Sequence, residues 1–123
     1  MFLQLSHTKL QAFLFSKELT IECYRITKLF PADERFAMIS QIRRAALSVH
    51  LNIAEGCSRK TLAERKRFFE IARGSIIEID TAIGIAHKLN YIPIEQLQPL
   101  GSMIIEAFKI VSGLIKTQLT THY

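Results

Sequence analysis

The feature that most constrains this chain is the recurrence of apolar residues at alternating steps of three and four. Ile39, Ile42, Ala46, Val49 and Ile53 follow one another at 3, 4, 3 and 4. Phe69, Ala72, Ile76, Ile79, Ile83 and Ala86 repeat the rhythm, as do Leu97, Leu100, Ile104, Ala107, Val111, Leu114 and Gln118. Such a period lines one side of an α-helix and conflicts with the two-residue alternation of a half-buried strand. Ile76-Ile77 and Ile104-Ile105 are strand-prone pairs, but both lie inside long helical patterns.

Three short stretches interrupt the rhythm: Phe30-Pro31-Ala32-Asp33, Gly56-Cys57-Ser58-Arg59-Lys60-Thr61 and Asn90-Tyr91-Ile92-Pro93. They divide the chain into four helices. The first runs from Lys9 to Leu29 with two apolar sides, one of Leu10, Leu14, Ile21 and Tyr24 and one of Phe15, Leu19, Ile26 and Phe30. Pro31 stops it. Asp33 is the expected N-cap of the second helix, and Gly56 its expected stop. Thr61-Leu62-Ala63-Glu64 reads as a capping box opening a third helix that continues to Leu89. The fourth runs from Pro93 to Leu119, and Pro99 should kink it or delay its start. Four long helices with short connections predict an all-α, antiparallel up-and-down four-helix bundle over residues 1–123.

Composition narrows the class further. At 123 residues, 49% hydrophobic and 22% charged, with 5 Gly and 3 Pro, the chain has the makings of one domain with a real core. Low-complexity, disordered and collagen-like chains are excluded. Two distant cysteines, Cys23 and Cys57, fit neither a disulfide framework nor a zinc site. The N-terminus lacks the basic start and cleavage site of a signal peptide, and no apolar run approaches the roughly 18–20 residues of a membrane span. A cytoplasmic protein without membrane contact is expected. His7, His87 and His122 lack the partners of a metal site, and no phosphate-loop, dinucleotide or HExxH motif occurs, so no metal or cofactor is expected. Cys57 lies among basic residues, which would favour its thiolate, but no His lies near it in sequence and an inert thiol is the expectation.

The helices carry more apolar surface than one core stripe requires. Phe36, Ala45, Leu47 and Leu51 lie off the second seam, Phe68, Ile71, Ile77 and Ile85 off the third, and Met103, Ile105, Phe108, Ile110 and Ile115 off the fourth. This excess predicts self-association. Gly74 and Gly84, inside the third helix, suggest close approach of a neighbouring helix.

The charge is equally uneven. Residues 43–73 hold Arg43, Arg44, Arg59, Lys60, Arg65, Lys66, Arg67 and Arg73 against Glu55, Glu64 and Glu70, a balance of +5 that equals the net charge of the whole chain. Clustered cations of this kind neutralise phosphates. The competing reading is a solvated loop with ion pairs from Arg67 to Glu64 or Glu70, and from Arg44 or Arg73 to Glu55. Phe68 and Phe69 are read as core, so sequence-specific base stacking is not expected. Asn52 and Glu55 share a helix face near its C-terminal end, where a carboxylate needs a partner; Arg44, Arg59 and Arg73 are the candidates.

Within this zone, Ser40-Gln41-Ile42-Arg43-Arg44-Ala45, then Asn52-Ile53-Ala54-Glu55-Gly56, then Ala72-Arg73-Gly74-Ser75-Ile76-Ile77-Glu78 resemble a known signature. Its pattern is SQ-x-x-RA, NIAEG and ARGS-x-x-E in that order. It is that of the four-helix-bundle proteins encoded in 23S rRNA intervening sequences, and the resemblance spans residues 10–118. It implies an antiparallel bundle assembled as a homopentameric ring. It also implies kinship with the basic accessory variability proteins of retroelements, which bind nucleic acid beside a reverse transcriptase. Many family members have Pro where this chain has His50, so a bend there is not carried over.

The resulting reading is a non-catalytic homo-oligomer that binds nucleic acid, structured RNA above all. Its candidate contacts are Arg43, Arg44, Arg59, Lys60, Arg65, Lys66 and Arg67. Asn52, Glu55, Gly56, Arg73, Gly74 and Glu78 form the structural signature. One alternative is a scaffold for an RNA-handling enzyme with no RNA contact of its own. Another rests on the R-x5-H spacing of Arg44 and His50, which resembles that of HEPN-type ribonucleases. A six-residue offset places that pair about 120° apart on a helix.

Overall fold

The computed structural model describes residues 10–120, with side chains described to Thr117. Among them are four α-helices and no strand: α1 Gln11–Thr27, α2 Ser40–Ser58, α3 Leu62–Lys88 and α4 Ile94–Thr120. The reading of the N-terminal leader, the start of helix one at Lys9 and the side chain of Gln118 lie outside the described residues.

The heptad seams form the core. Phe69, Ala72, Ile76, Ile79, Ile83 and Ala86 are all buried, as are Ile42, Ala46, Val49 and Ile53 of α2. On α4 the seam runs from Leu97 to Val111, after which Ile115 takes the inward position expected of Leu114. On α1 only one of the two apolar sides turns inward. Leu19, Ile26 and Phe30 are buried, whereas Leu10, Leu14 and Ile21 are exposed. Small polar residues complete the inner face of α1. Thr20 donates to Ser16 O (2.8 Å), Thr27 donates to Cys23 O (2.7 Å), and each thus meets its hydroxyl's need within its own helix.

Cross-helix bonds reveal the registers. Ser16 lies opposite His50, Thr20 opposite Ala46 and Thr27 opposite Arg43, so numbers rise along α1 as they fall along α2. Gln41 meets Glu78 and Ser48 meets Ser75 in the same inverse order on α2 and α3. Helices next to one another in sequence pack together, and α4 closes back on α1.

Helix ends depart from expectation in instructive ways. After Pro31 the chain makes a 3-10 turn (Ala32–Glu34) and a π-helical turn (Arg35–Ile39) before α2 begins. Asp33 is not the cap. The Glu34 carboxylate accepts from Met38 N (3.3 Å) and from Tyr91 Oη–H (2.6 Å), pinning this corner to the α3–α4 connection. Gly56 does not stop α2, which runs on to Ser58. Thr61 caps α3 as expected, accepting from Glu64 N (3.2 Å). At the other end of α3, Asn90 adopts φ 60°. Asn90 N donates to His87 O and Tyr91 N to Ala86 O, which is a Schellman close with Asn in the left-handed position. Pro99 does not delay α4, which starts earlier, at Ile94. A Cβ added to Gly74 or Gly84 would meet nothing within 4 Å, so neither admits a neighbouring helix within the protomer.

Candidate nucleic-acid interface

Residues 59–61 join α2 to α3, and the basic residues divide here by what holds them. Arg65, in the first turns of α3, reaches back to α2. Its Nη1 donates to Cys57 O (3.2 Å) and Arg59 O (3.5 Å), and its guanidinium lies 6.0 Å from the Phe69 ring centroid. It places a cation on the carbonyl end of α2, where the helix dipole favours one. Arg43 is likewise engaged. Its Nε donates to Thr27 Oγ1 (2.8 Å) and its guanidinium sits 4.8 Å over the Tyr24 ring, tying α2 to the end of α1.

Arg59 is partly committed. Its Nη2 donates to Glu55 Oε2 (2.6 Å), and its guanidinium stacks 4.7 Å above Phe68. Its Nε is buried and has no hydrogen-bond partner. Phe68 is therefore not core; it is a half-buried platform beside the loop. Of the three arginines that could pair with Glu55, Arg59 is the one that does. The ion pairs expected of Arg67 with Glu64 or Glu70 do not form. Lys60, Lys66 and Arg67 make no hydrogen bond, ion pair or ring contact among the described residues. The loop end of the bundle thus presents three uncommitted cations around a half-committed fourth.

Arg44 lies apart, about 22 Å from Arg59 along the helix axis at 1.5 Å per residue. It lines a cleft of about 210 Å³ between α2 and α3 with Gln41, Ser48, Ser75 and Glu78. The cleft is a hydrogen-bonded polar seam. Asn52 Nδ2 donates to Ser48 O (2.8 Å) and Ser48 Oγ (3.1 Å), Ser75 donates to Ser48 Oγ (2.8 Å), and Gln41 Nε2 donates to Glu78 Oε2 (3.0 Å). Asn52 and Glu78 therefore belong to one α2–α3 seam. Arg73 ties α3 to α4 instead, through Ser112 Oγ (3.4 Å) and the Phe108 ring (5.9 Å). Gly56 makes room for a ring, since a Cβ there would fall 2.5 Å from Phe69 Cε1. Ser48 and Ser75 are the hub of the seam, and sequence reasoning does not single them out as functional positions. The one signal for them is that Ser75 stands inside the ARGS motif.

His50 faces away from this cleft. Its Nδ1 lies 2.7 Å from Ser16 Oγ, and its ring is 4.3 Å from that of Phe13 on α1. Ser16 Oγ also lies 3.0 Å from Phe13 O, and the imidazole tautomer sets which partner receives the single hydroxyl proton. Arg44 turns to α3 and His50 to α1, so the structure does not join them in one site. Burial pushes the Cys57 thiol up, against a smaller opposing pull from Arg65. No group of three or more metal-ligating side chains occurs among the described residues, and no described helix is long and apolar enough to cross a membrane.

The model of the family described as 23S rRNA-intervening sequence protein matches residues 8–113. The chain belongs to that family. A search of the curated proteins finds no match. Among solved structures it is similar to a protein of unknown function from the S23 ribosomal protein family of Bacteroides thetaiotaomicron. The two are 23% identical with a TM-score of 0.79, over 85% of this chain and 98% of the other. At that identity the likeness speaks for the fold alone. The SQ-x-x-RA and ARGS-x-x-E motifs of this chain meet across the polar seam, and its NIAEG motif runs from the seam to the loop.

Proposed function

We propose that this protein binds structured RNA through the loop end of an antiparallel up-and-down bundle, without catalysing a reaction, and that it acts in the cytoplasm as a homo-oligomer. The observation that carries the reading is the set of uncommitted cations Lys60, Lys66 and Arg67 beside Arg59, in the segment that holds the chain's whole net charge. Holding such like charges together without carboxylate partners is unfavourable unless an anion arrives. The inverse registers of α1 with α2 and of α2 with α3 support the up-and-down course. The family's description supports an RNA-related role. Arg43 and Arg65 serve in this reading as struts that position the surface, and Arg44 as a separate, distal contact. Repetition of the patch around a ring, pentameric as the resemblance implies, would make several weak contacts act together.

The test is fluorescence anisotropy of a labelled structured RNA against the full chain from about 50 to 300 mM salt. Binding should weaken steeply with salt, and the variant carrying Lys66→Glu and Arg67→Glu should bind more weakly with a shallower slope. Indifference to RNA at low salt would overturn the reading. It would favour the second one, a scaffold for a reverse transcriptase or another RNA-handling protein, which the exposed Leu51, Ile77 and Ile105 support.

A further inference from the structure

The polar cleft between α2 and α3 holds more hydrogen-bonding capacity than the fold spends. Gln41, Arg44, Ala45, Ser48, Ser75 and Glu78 line its volume of about 210 Å³. Arg44 has no hydrogen bond, ion pair or ring contact among the described residues, although a carboxylate lines the same cleft. That carboxylate, of Glu78, accepts from Gln41 through Oε2, and its Oε1 keeps its full accepting capacity. Ser48 and Ser75 share one hydrogen bond between their hydroxyls. One of their two protons is therefore unspent among the described residues, whichever way that bond runs. Opposite charges thus line one cleft without pairing, above hydroxyls of which Ser75 is buried and Ser48 half-buried.

The lining selects the chemistry of a ligand. A phosphate suits Arg44 but is repelled by Glu78. An ionised carboxylate only accepts, so Glu78 calls for a neutral donor such as a hydroxyl. No aromatic ring lines the cleft, so a base finds no surface there to stack on. A sugar hydroxyl beside a phosphate suits the guanidinium and the carboxylate together. Position selects the source of that unit. Gln41, Arg44, Ser48, Asn52, Glu55 and Arg59 follow one another at steps of three and four, which is one face of α2 and its end. This face meets α3 at three levels: Gln41 on Glu78, Ser48 on Ser75 and Arg59 on Phe68. The cleft is therefore the far end of a groove that reaches the loop cations, about 22 Å away along the helix axis. Several nucleotides of extended strand span that distance. At the loop end the Arg59 guanidinium, stacked on Phe68, continues a platform for an unstacked base. Paired bases are enclosed within a duplex, so a base that reaches this platform comes from a single-stranded stretch, such as a loop of a structured RNA.

We propose that the α2–α3 cleft holds one ribonucleotide of a single-stranded RNA segment, with its phosphate on Arg44 and its 2′-hydroxyl donating to Glu78. Such a bond to a carboxylate is charge-assisted. DNA lacks the donor, and its strand would bring phosphates near the Glu78 carboxylate with no bond in return. The loop cations serve either nucleic acid equally, whereas this cleft tells RNA from DNA. The inference rests on the reading that the chain binds RNA, and it adds a second, distal subsite that recognises the sugar.

Fluorescence anisotropy of labelled oligouridylate on the full chain tests it, beside oligodeoxyuridylate of the same length, which differs only in lacking the 2′-hydroxyl. The parent protein should bind the ribo strand about tenfold more tightly than the deoxy strand at one salt concentration. The 2′-O-methyl strand, which keeps the oxygen but not the proton, should bind like the deoxy one. Glu78→Ala should bring ribo and deoxy within about twofold of each other. Circular dichroism should show an intact bundle in that variant, because the Glu78 side chain is exposed. Arg44→Gln should weaken the ribo strand and lower its salt slope by about one. Equal binding of ribo and deoxy strands by the parent, a 2′-O-methyl strand as tight as the ribo one, or a ribo preference that survives Glu78→Ala would each overturn the cleft assignment while leaving RNA binding at the loop standing. So would binding of a structured RNA without binding of the single strand. Indifference to both RNAs at low salt would overturn the cleft assignment and the RNA reading together.

Discussion

Gly56→Ala tests the tightest contact in the bundle. The added Cβ would lie 2.5, 2.8 and 3.1 Å from Phe69 Cε1, Cδ1 and Cζ. Unstrained carbons sit about 3.5–4.0 Å apart, so the ring must retreat by about 1 Å. Phe69 is fully buried, and no solvent-facing gap receives it. Overpacking of a closed core costs about 1–3 kcal/mol, and a displacement of this size belongs at the upper end. Alanine returns about 1 kcal/mol over glycine in a helix interior. The net expectation is a loss of about 2 kcal/mol, or about 6–10 °C in Tm for a chain of this length. Gly74→Ala and Gly113→Ala are internal controls: nothing lies within 4 Å of either added Cβ, so both should gain up to about 1 kcal/mol. Urea and thermal unfolding monitored by circular dichroism measure all three. In a Phe69→Leu background, Gly56→Ala should cost less, because the obstructing ring edge is gone. Gly56→Ala matching the parent protein in stability, with the controls behaving as stated, would refute the packing argument.

Two further outcomes concern Arg65 and the buried thiol. Arg65→Ala removes the side chain that satisfies Cys57 O and Arg59 O, so unfolding should show a loss of about 1 kcal/mol; the Lys66→Glu and Arg67→Glu changes, at cations without partners, should leave Tm nearly unchanged. Burial, with a smaller contribution from the neighbouring Glu22 carboxylate, pushes the Cys23 thiol up to about 12 from an ordinary 9.0. The unfolded chain therefore releases this proton first, so its contribution to stability is complete below pH 9 and is lost as pH rises towards 12. Titrating urea midpoints across that window, with mass-spectrometric mapping of alkylation, should show stability falling and Cys57 labelled well before Cys23.

Much of the bundle is visible in the order of residues. Period alone names six apolar positions of α3, from Phe69 to Ala86, and all are buried. Thr61 declares its cap through a hydroxyl at the right distance from Glu64. These are local matters, set by the pitch of a helix and by short-range hydrogen bonds. The limits are equally specific. Period places two apolar sides on α1 without ranking them, because the ranking depends on which neighbours arrive. Nothing in the period marks Ser16 and Thr20 as inward, and both are buried with their hydroxyls bonding within α1 and across to α2.

The basic zone shows the same division. Composition alone locates the whole net charge in residues 43–73. A chain of letters assigns those cations equal standing. The packed helices separate Arg43 and Arg65, spent on Thr27, Tyr24 and the end of α2, from Lys60, Lys66 and Arg67, which face no partner among the described residues. Gly56 is the sharpest case. By itself it reads as a helix stop, a property of its own backbone; in the bundle it lies within α2, and its missing Cβ is the room occupied by a ring from α3. The helices, their ends within a few residues and the placing of charge can be read from the order of residues, because each follows from neighbours along the chain. What each glycine makes room for and which cations remain free depend on residues distant in sequence, which meet when the helices pack.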